Sequence, residues 1–197
     1  MKKGVFLVFI ALLCCENKST DTIPKNYTKN HREALEFCKK NNFETSFYFL
    51  VDLSIHSGKN RFLVYDFQTK KVSAKNLVTH GSCDQFQENP KQWEKAKFDV
   101  RIDSHCSMKG KYKIGKKDYS SWGIHIKYWL HGLEKTNNTA VDRVVVLHSW
   151  SAVANEEIYP KHTPLSWGCP AVSDAFMEEL DLKLKTTKKP VLLWIID

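Results

Sequence analysis

The stretch from Ser46 to Ser82 constrains the fold more than any other part of this sequence, because it carries strand and turn signals and no helical period. It reads "SFYFLVDLSIHSG" and then "NRFLVYDFQTKKVSAKNLVTHGS". In the second piece Phe62, Val64 and Asp66 alternate with Leu63, Tyr65 and Phe67, the two-residue period of a pleated strand. The "QTKK" that follows supplies a hairpin turn into "VSAKNLV". Further strands are expected at "KFDVRI", "KYKIG" and "WGIHIKYWLHGLEK", the last alternating at Ile124, Ile126 and Tyr128. The β-branched run "DRVVVLHSW" is the strongest strand signal in the chain, and "PVLLWIID" closes it as a buried strand. Two short helices complete the reading. "HREALEFCKKNN" places Ala34, Leu35, Phe37 and Cys38 at helical spacing and stops at Asn41-Asn42. "SDAFMEELDLKLKT" has Ser173 as its N-cap and Met177, Leu180 and Leu184 along one face. The segment from Ser82 to Asp118 is mostly polar and gives the weakest signal. With 197 residues, 42% of them hydrophobic, and six tryptophans, the chain can bury one core of ordinary size. The expectation is a mainly β domain with a few short helices.

The N-terminus has a different composition. Met1-Lys2-Lys3 is followed by the apolar run Gly4 to Leu13, which is shorter than the ~20 residues that span a bilayer and suits the hydrophobic region of a secretory signal. Cys14 and Cys15 come next, then the polar "ENKSTDTIPKNYTKN". That layout resembles a bacterial lipoprotein signal in which Cys15 would carry the lipid, with Cys14 departing from the small residue usual before it. The sequence divides accordingly into a signal peptide (1–15), a tether with a short helix (16–44) and a folded domain (45–197). It predicts export, to the periplasm or to a membrane-anchored position facing the cell wall. The formal charge of +8 would attract nucleic acid, an anionic membrane surface or an acidic wall polymer. Its lysines are scattered in pairs such as Lys39-Lys40 and Lys116-Lys117. No dense basic helix with interleaved aromatics appears, so nucleic acid is not the expected partner.

The remaining cysteines are Cys38, Cys83, Cys106 and Cys169. An exported chain can form disulfides, and four cysteines allow three pairings that sequence does not separate. If Cys169 is set aside as catalytic, Cys83–Cys106 is the expected bridge, since both lie in the same polar segment. Neither Cys-x-x-Cys nor His-x-x-x-His spacing occurs, so no zinc site is expected.

Cys169 sits in "PLSWGCPAV", pressed between Gly168 and Pro170. A cysteine nucleophile needs a base, a group that fixes the base's tautomer, and N–H donors where an oxyanion forms. His148, at the end of the "VVVLH" strand, stands far enough upstream for a loop to return the thiol beside its imidazole. Gly168 permits a tight turn, and Pro170 stiffens the exit and removes a donor. A buried structural cysteine and a hydrogen-bonded structural histidine fit the same spacing.

Together "RVVVLHSW" and "SWGCPAV" resemble the signature of murein L,D-transpeptidase catalytic domains, in which a histidine after a hydrophobic strand is followed by Ser-x-Gly-Cys. His148, Ser166, Gly168 and Cys169 fill those positions, in the branch that continues Pro-Ala. The strands ending at His80-Gly81, "IDSHCSMKGKYKIG", and "IHIKYWLHGLEKTNN" are similar to further segments of that branch, so the resemblance covers roughly residues 45 to 197. "CDQFQENPKQWEKAK" departs from it as an insertion or diverged loop. The resemblance implies a mixed β-sandwich or barrel-like fold and a cysteine peptidyltransferase acting on peptidoglycan stem peptides without metal or organic cofactor. Cys169 would be the nucleophile and His148 the base, oriented by the backbone carbonyl of Ser149. The N–H groups of Gly168 and Cys169, joined by that of Trp167, would form the oxyanion hole. Ser166, Trp167, His125, Ser104 and His105 are candidate substrate contacts, and Trp150 and Trp167 candidate cleft walls. The alternatives are an L,D-carboxypeptidase using water as acceptor, a non-catalytic wall-binding lipoprotein, and a structural β-domain whose cysteines form two disulfides.

Overall fold

The computed structural model describes residues 25–83 and 93–197, so the leader with Cys14 and Cys15 lies outside the described residues. The elements run α1 (Thr28–Lys40), β1 (Phe47–Asp52), β2 (Phe62–Asp66), β3 (Lys71–Asn76), β4 (Gly110–Tyr119), β5 (Ile126–Gly132), β6 (Val146–Ser149), β7 (Ala171–Val172), α2 (Asp174–Leu184) and β8 (Leu192–Ile196). All of these strands join one sheet in the order β3-β2-β1-β8-β4-β5-β6-β7. The sheet curls into a nearly closed, barrel-like form.

Two adjacent inner strands, β1 and β8, read as unbroken apolar runs because they are covered on both faces. In β1 and β8, Phe49, Val51, Leu193 and Ile195 face the main core together with Phe176, Met177 and Leu180 of α2. Their neighbours Tyr48, Leu50, Leu192 and Trp194 face a second cluster with Ala34 and Cys38 of α1. Each such side chain, fully buried, contributes roughly 1.5–3 kcal/mol by leaving water, so both helices are held chiefly by the sheet. α1, which the sequence groups with the tether, is docked further by His31, whose Nδ1 lies 2.8 Å from the Tyr48 hydroxyl and whose ring stacks on Tyr65. The α2 start forms as its sequence suggests, with Ser173 Oγ accepting from the Phe176 N–H at 3.3 Å. The β2–β3 turn is likewise closed by its own side chain, Asp66 Oδ1 accepting from the Gln68 and Thr69 N–H groups at 2.9 and 2.7 Å.

Two expected strands differ. "KFDVRI" contributes only an isolated bridge between Phe98 and Ser107; Asp99 spends its carboxylate on the Arg101 side chain 2.8 Å away, a local contact that competes with extended pairing. "DRVVVLHSW" becomes a strand only from Val146. Before it, the Arg143 N–H donates to Thr139 O at 3.0 Å, the Val145 N–H donates to Ala140 O at 2.8 Å, and Val144 takes a φ of 54°. The turn that places Arg143 overrides the β-propensity of the valines. Ile124 and His125 also fall before β5, on a turn where His125 has a φ of 62°.

Candidate active site

β6 carries His148. Its four residues are all buried, and Leu147 anchors the strand in the main core. The His148 Nδ1 lies 2.9 Å from the carbonyl oxygen of Ser149. A carbonyl can only accept, so the ring proton sits on Nδ1 and Nε2 keeps a lone pair. Ser149 is itself held, its Oγ accepting from the Ile124 N–H at 2.9 Å.

The parallel pairing of β6 with β7 sets His148 opposite Ala171, which brings Cys169, two residues before Ala171, alongside Val146 at the start of the strand, two residues before His148. Ser166 closes the turn that presents it. The Ser166 Oγ donates to the Cys169 carbonyl at 2.6 Å and accepts from the Gly168 N–H at 3.2 Å. Its backbone is stitched to the segment after β3, the Ser166 N–H donating to His80 O at 2.9 Å and its carbonyl accepting from the Ser82 N–H at 2.7 Å. Gly168 has a φ of 103°, and a Cβ there would stand 2.6 Å from the Cys106 carbonyl oxygen, so only glycine fits. That carbonyl is fixed from two sides. Cys106 is bonded to Cys83, and its oxygen accepts from Arg143 Nη2 at 2.7 Å. Arg143 Nη1 also donates to Asp99 O at 2.9 Å. Cys38 and Cys169 are free thiols, Cys38 buried and Cys169 partly exposed, so the arrangement with two disulfides is not the one formed.

The resting thiol lies along the start of β6. The Val146 N–H donates to Sγ at 3.5 Å, and Sγ stands 3.7 Å from the Val144 carbonyl, to which its S–H can donate. Burial pushes the Cys169 thiol up, against the opposing pull of the Val146 N–H, Arg143 and Lys127. Burial also pulls His148 down, opposed by its bond to the Ser149 carbonyl and reinforced by Lys127. Both shifts favour a neutral thiol beside a neutral imidazole over a thiolate–imidazolium pair. A neutral thiol and a neutral imidazole with a free Nε2 lone pair are the components that general-base activation of a nucleophile requires.

His148 and Cys169 open into one cavity of about 320 Å³, walled by Trp122, Trp150, Leu165, Ser166 and Trp167. Trp122 and Trp150 meet edge-on, ring centres 5.3 Å apart, and Trp167 is 61% exposed at the rim. A larger cavity of about 590 Å³ lies elsewhere, around Lys25, Asp52, Lys109 and Asp197. Asp52 there is already taken by Lys25 at 2.9 Å and the Tyr27 hydroxyl at 2.7 Å, and its lining holds neither a cysteine nor a histidine, so the smaller cavity, with a thiol and an imidazole, is the candidate site.

Of the residues singled out from sequence, Cys169, His148, Ser149, Gly168, Ser166 and Trp167 come together here. His105 is one step away: its ring packs on Trp167 with centres 4.9 Å apart, and its buried Nδ1 has no partner among the described residues. Ser104 and His125 are not on the cavity wall. Ser104 is buried, its Oγ donating to Asp99 O at 3.3 Å and accepting from the Cys106 N–H at 3.4 Å. The exposed His125 stacks on Tyr119 with ring centres 5.4 Å apart. Trp122, Leu165 and Arg143 escaped sequence reasoning. Trp122 stands alone in a turn, and Arg143 opens what reads as a strand, so neither carries a pattern. Among the described residues no group of three His, Cys, Asp or Glu side chains could hold a metal ion.

A family model described as the L,D-transpeptidase catalytic domain matches residues 19–194. No curated protein sequence matches this one. Among solved structures, the chain is similar to an L,D-transpeptidase from Xylanimonas cellulosilytica, at 10% identity and a TM-score of 0.45, covering 81% of this chain and 68% of that one. It is also similar to Bd1075 from Bdellovibrio bacteriovorus, at 13% identity and a TM-score of 0.44, covering 78% of this chain and 49% of that one. The helical cell shape determining protein Pgp2 from Campylobacter jejuni is matched at 14% identity and a TM-score of 0.41, over 84% of this chain and 54% of that one. The chain thus spans about half the length of the last two.

Proposed function

The chain belongs to the family of L,D-transpeptidase catalytic domains, and from that premise we propose that it is a peptidoglycan L,D-transpeptidase with Cys169 as nucleophile and His148 as general base. The observation that carries the reading is the shared cavity. His148, its Nδ1–H fixed on the Ser149 carbonyl, and the Cys169 thiol face the same space.

The reaction follows from those positions. The thiol turns from the Val144 carbonyl, gives its proton to His148 Nε2, and Sγ attacks the carbonyl carbon of the L-residue in the L,D peptide bond of a stem tetrapeptide. The oxyanion is received chiefly by the Cys169 N–H. The Gly168 N–H, held only by a long 3.2 Å bond to Ser166 Oγ, is the second donor. Collapse breaks the C–N bond, His148 protonates the departing amine of the terminal D-alanine, and a thioester remains. An acceptor amine then attacks the thioester carbon, loses its proton to His148, and releases the sulfur, which recovers the proton. Water in place of the amine makes the same site an L,D-carboxypeptidase. The three tryptophans wall the thioester on the cavity side, which favours an ordered acceptor over bulk water. With this reading we propose an exported protein, residues 1–15 acting as the signal and Cys15 as a lipid attachment point; both proposals rest on the sequence.

Incubation of the purified protein with disaccharide-tetrapeptide muropeptides tests the reading. Crosslinked dimer is the expected product, and tripeptide release alone assigns the carboxypeptidase reaction. If neither product forms and Cys169→Ala is indistinguishable from wild type, the proposal fails.

A further inference from the structure

Cys169 must be aimed, yet the chain that follows it has little means of holding itself. Pro170 has no N–H, and β7 is only Ala171–Val172. The support comes from the segment after β3, opposite β6. There Thr79, 1% exposed, meets the nucleophile's own backbone. The Thr79 Oγ1 donates to the Cys169 carbonyl at 3.0 Å and accepts from the Ala171 N–H at 3.0 Å. Its backbone N–H donates to Ala171 O at 2.9 Å. One hydroxyl therefore spans the proline, joining the carbonyl before it to the N–H after it.

The Cys169 carbonyl also accepts from Ser166 Oγ at 2.6 Å, so both of its lone pairs are engaged. A carbonyl held from two directions fixes the peptide plane after Cys169, and with it the direction in which the Cα–Cβ bond leaves. Thr79 is in turn immobilised by Arg61, which is 1% exposed. Arg61 Nε and Nη2 donate to the Val78 carbonyl at 2.9 and 2.7 Å. Nη2 also donates to His80 Nδ1 at 2.9 Å, and Nη1 donates to Ile55 O at 3.1 Å. Val78 and His80 are the two neighbours of Thr79 in the chain. A buried guanidinium is costly to keep, and here its donors brace the residues on either side of one hydroxyl.

We propose that Thr79 is a positioning residue for the nucleophile: its hydroxyl clamps the backbone across Pro170 and so sets the aim of the Cys169 thiol, while Arg61 braces the segment that carries it. The inference rests on the reading of Cys169 as the nucleophile. Thr79 touches no substrate. It acts on the alignment of sulfur with the acyl carbon, where a displacement of about 1 Å costs on the order of 100-fold in rate. It leaves the cavity walls that bind the stem peptide unchanged.

The test is steady-state tripeptide or dimer formation from the tetrapeptide muropeptide, with kcat normalised to the Cys169 thiol titrated in the folded protein. Thr79→Val, which keeps the shape and removes the hydroxyl, is expected to lower kcat at least tenfold with KM within twofold of wild type. Thr79→Ser is expected to recover kcat to within about threefold. Should Thr79→Val fail to fold, Thr79→Ala against Thr79→Ser isolates the hydroxyl, since both lack the methyl, and the same tenfold gap is expected. A Val or Ala variant that turns over like the Ser variant per titrated thiol overturns the proposal, even if its melting temperature falls. Wild-type protein that yields no product, matched by Cys169→Ala, overturns the enzyme reading and the role of Thr79 with it. The two failures are therefore distinct.

Discussion

Opening the Cys83–Cys106 bridge should weaken the fold by an amount the structure sets and disturb the site by a route it also shows. The bridge joins residues 23 apart. In the chain-entropy treatment a loop of that length, once released, returns about 3 kcal/mol of freedom to the unfolded state. For a domain of this size each kcal/mol moves the melting temperature by about 2–4 °C, so the Cys83→Ala/Cys106→Ala variant should melt roughly 6–12 °C below wild type in a calorimetric scan. The same change frees the Cys106 carbonyl, which Arg143 holds at 2.7 Å and against which Gly168 packs without room for a Cβ. Turnover per folded molecule should therefore fall as well, and the rate of Cys169 alkylation by iodoacetamide should change with it. A variant that melts with wild type refutes the stability argument. One that melts lower but keeps wild-type turnover refutes the link from the bridge to the cysteine turn.

Gly168→Ala should lose at least about 1–2 kcal/mol of stability from its backbone conformation alone and, by shifting Cys169, about 100-fold or more in turnover; thermal denaturation and muropeptide assays read the two effects separately. The alkylation rate of Cys169 should climb with pH and reach its midpoint above the ~8.5 of an ordinary cysteine, because burial raises the thiol; a rate flat from pH 6 to 8 would show a preformed thiolate instead. His148, depressed by burial, favours folding while neutral, so its contribution is full above the ordinary histidine value of ~6.5 and is lost as pH falls below it; His148→Gln should make that limb of a stability–pH curve shallower, the rest of it coming from histidines such as His31 that burial also depresses. Ser173→Ala removes the α2 cap and should cost about 1 kcal/mol, seen as a melting temperature lower by about 2–4 °C.

The strands that could be read in the sequence are those whose side chains report burial directly. Phe62 to Tyr65 and "VLLWI" are both continuous apolar runs because successive side chains turn alternately to the main core and to the cluster under α1. The valines before His148 misled because propensity describes a residue's preference, whereas the conformation at Val144 is decided by the turn closed between Val145 and Ala140. β7 is two residues long and exists through its partners, so it left no pattern to find. At the site, Cys169, His148 and Ser166 were legible through motif and spacing. Arg143 and Trp122 reach the cysteine turn and the cavity only through tertiary packing, and nothing in their neighbours' sequence marks it. Ser104 and His125 illustrate the converse, since polar residues in a loop look available until their hydrogen bonds are counted.

The strand order has a kinetic consequence. β8 pairs with β1 on one side and with β4 on the other, so among the named strands it is the one that joins β3-β2-β1 to the β4–β7 half that carries the cavity, a join completed at the far edge by the segment after β3. Neither half can close the ladder across that gap until Leu192–Ile196 is in place, and β1 must wait for a partner that lies far along the chain. Contacts of such sequence separation form late and slowly. The turn that carries Cys169 should therefore appear in the same cooperative step as the last strand, with no earlier species in which the thiol is already in place. Amide exchange at Leu193 and Trp194 should then proceed only through global unfolding, making those two residues a direct gauge of how long the site stays assembled.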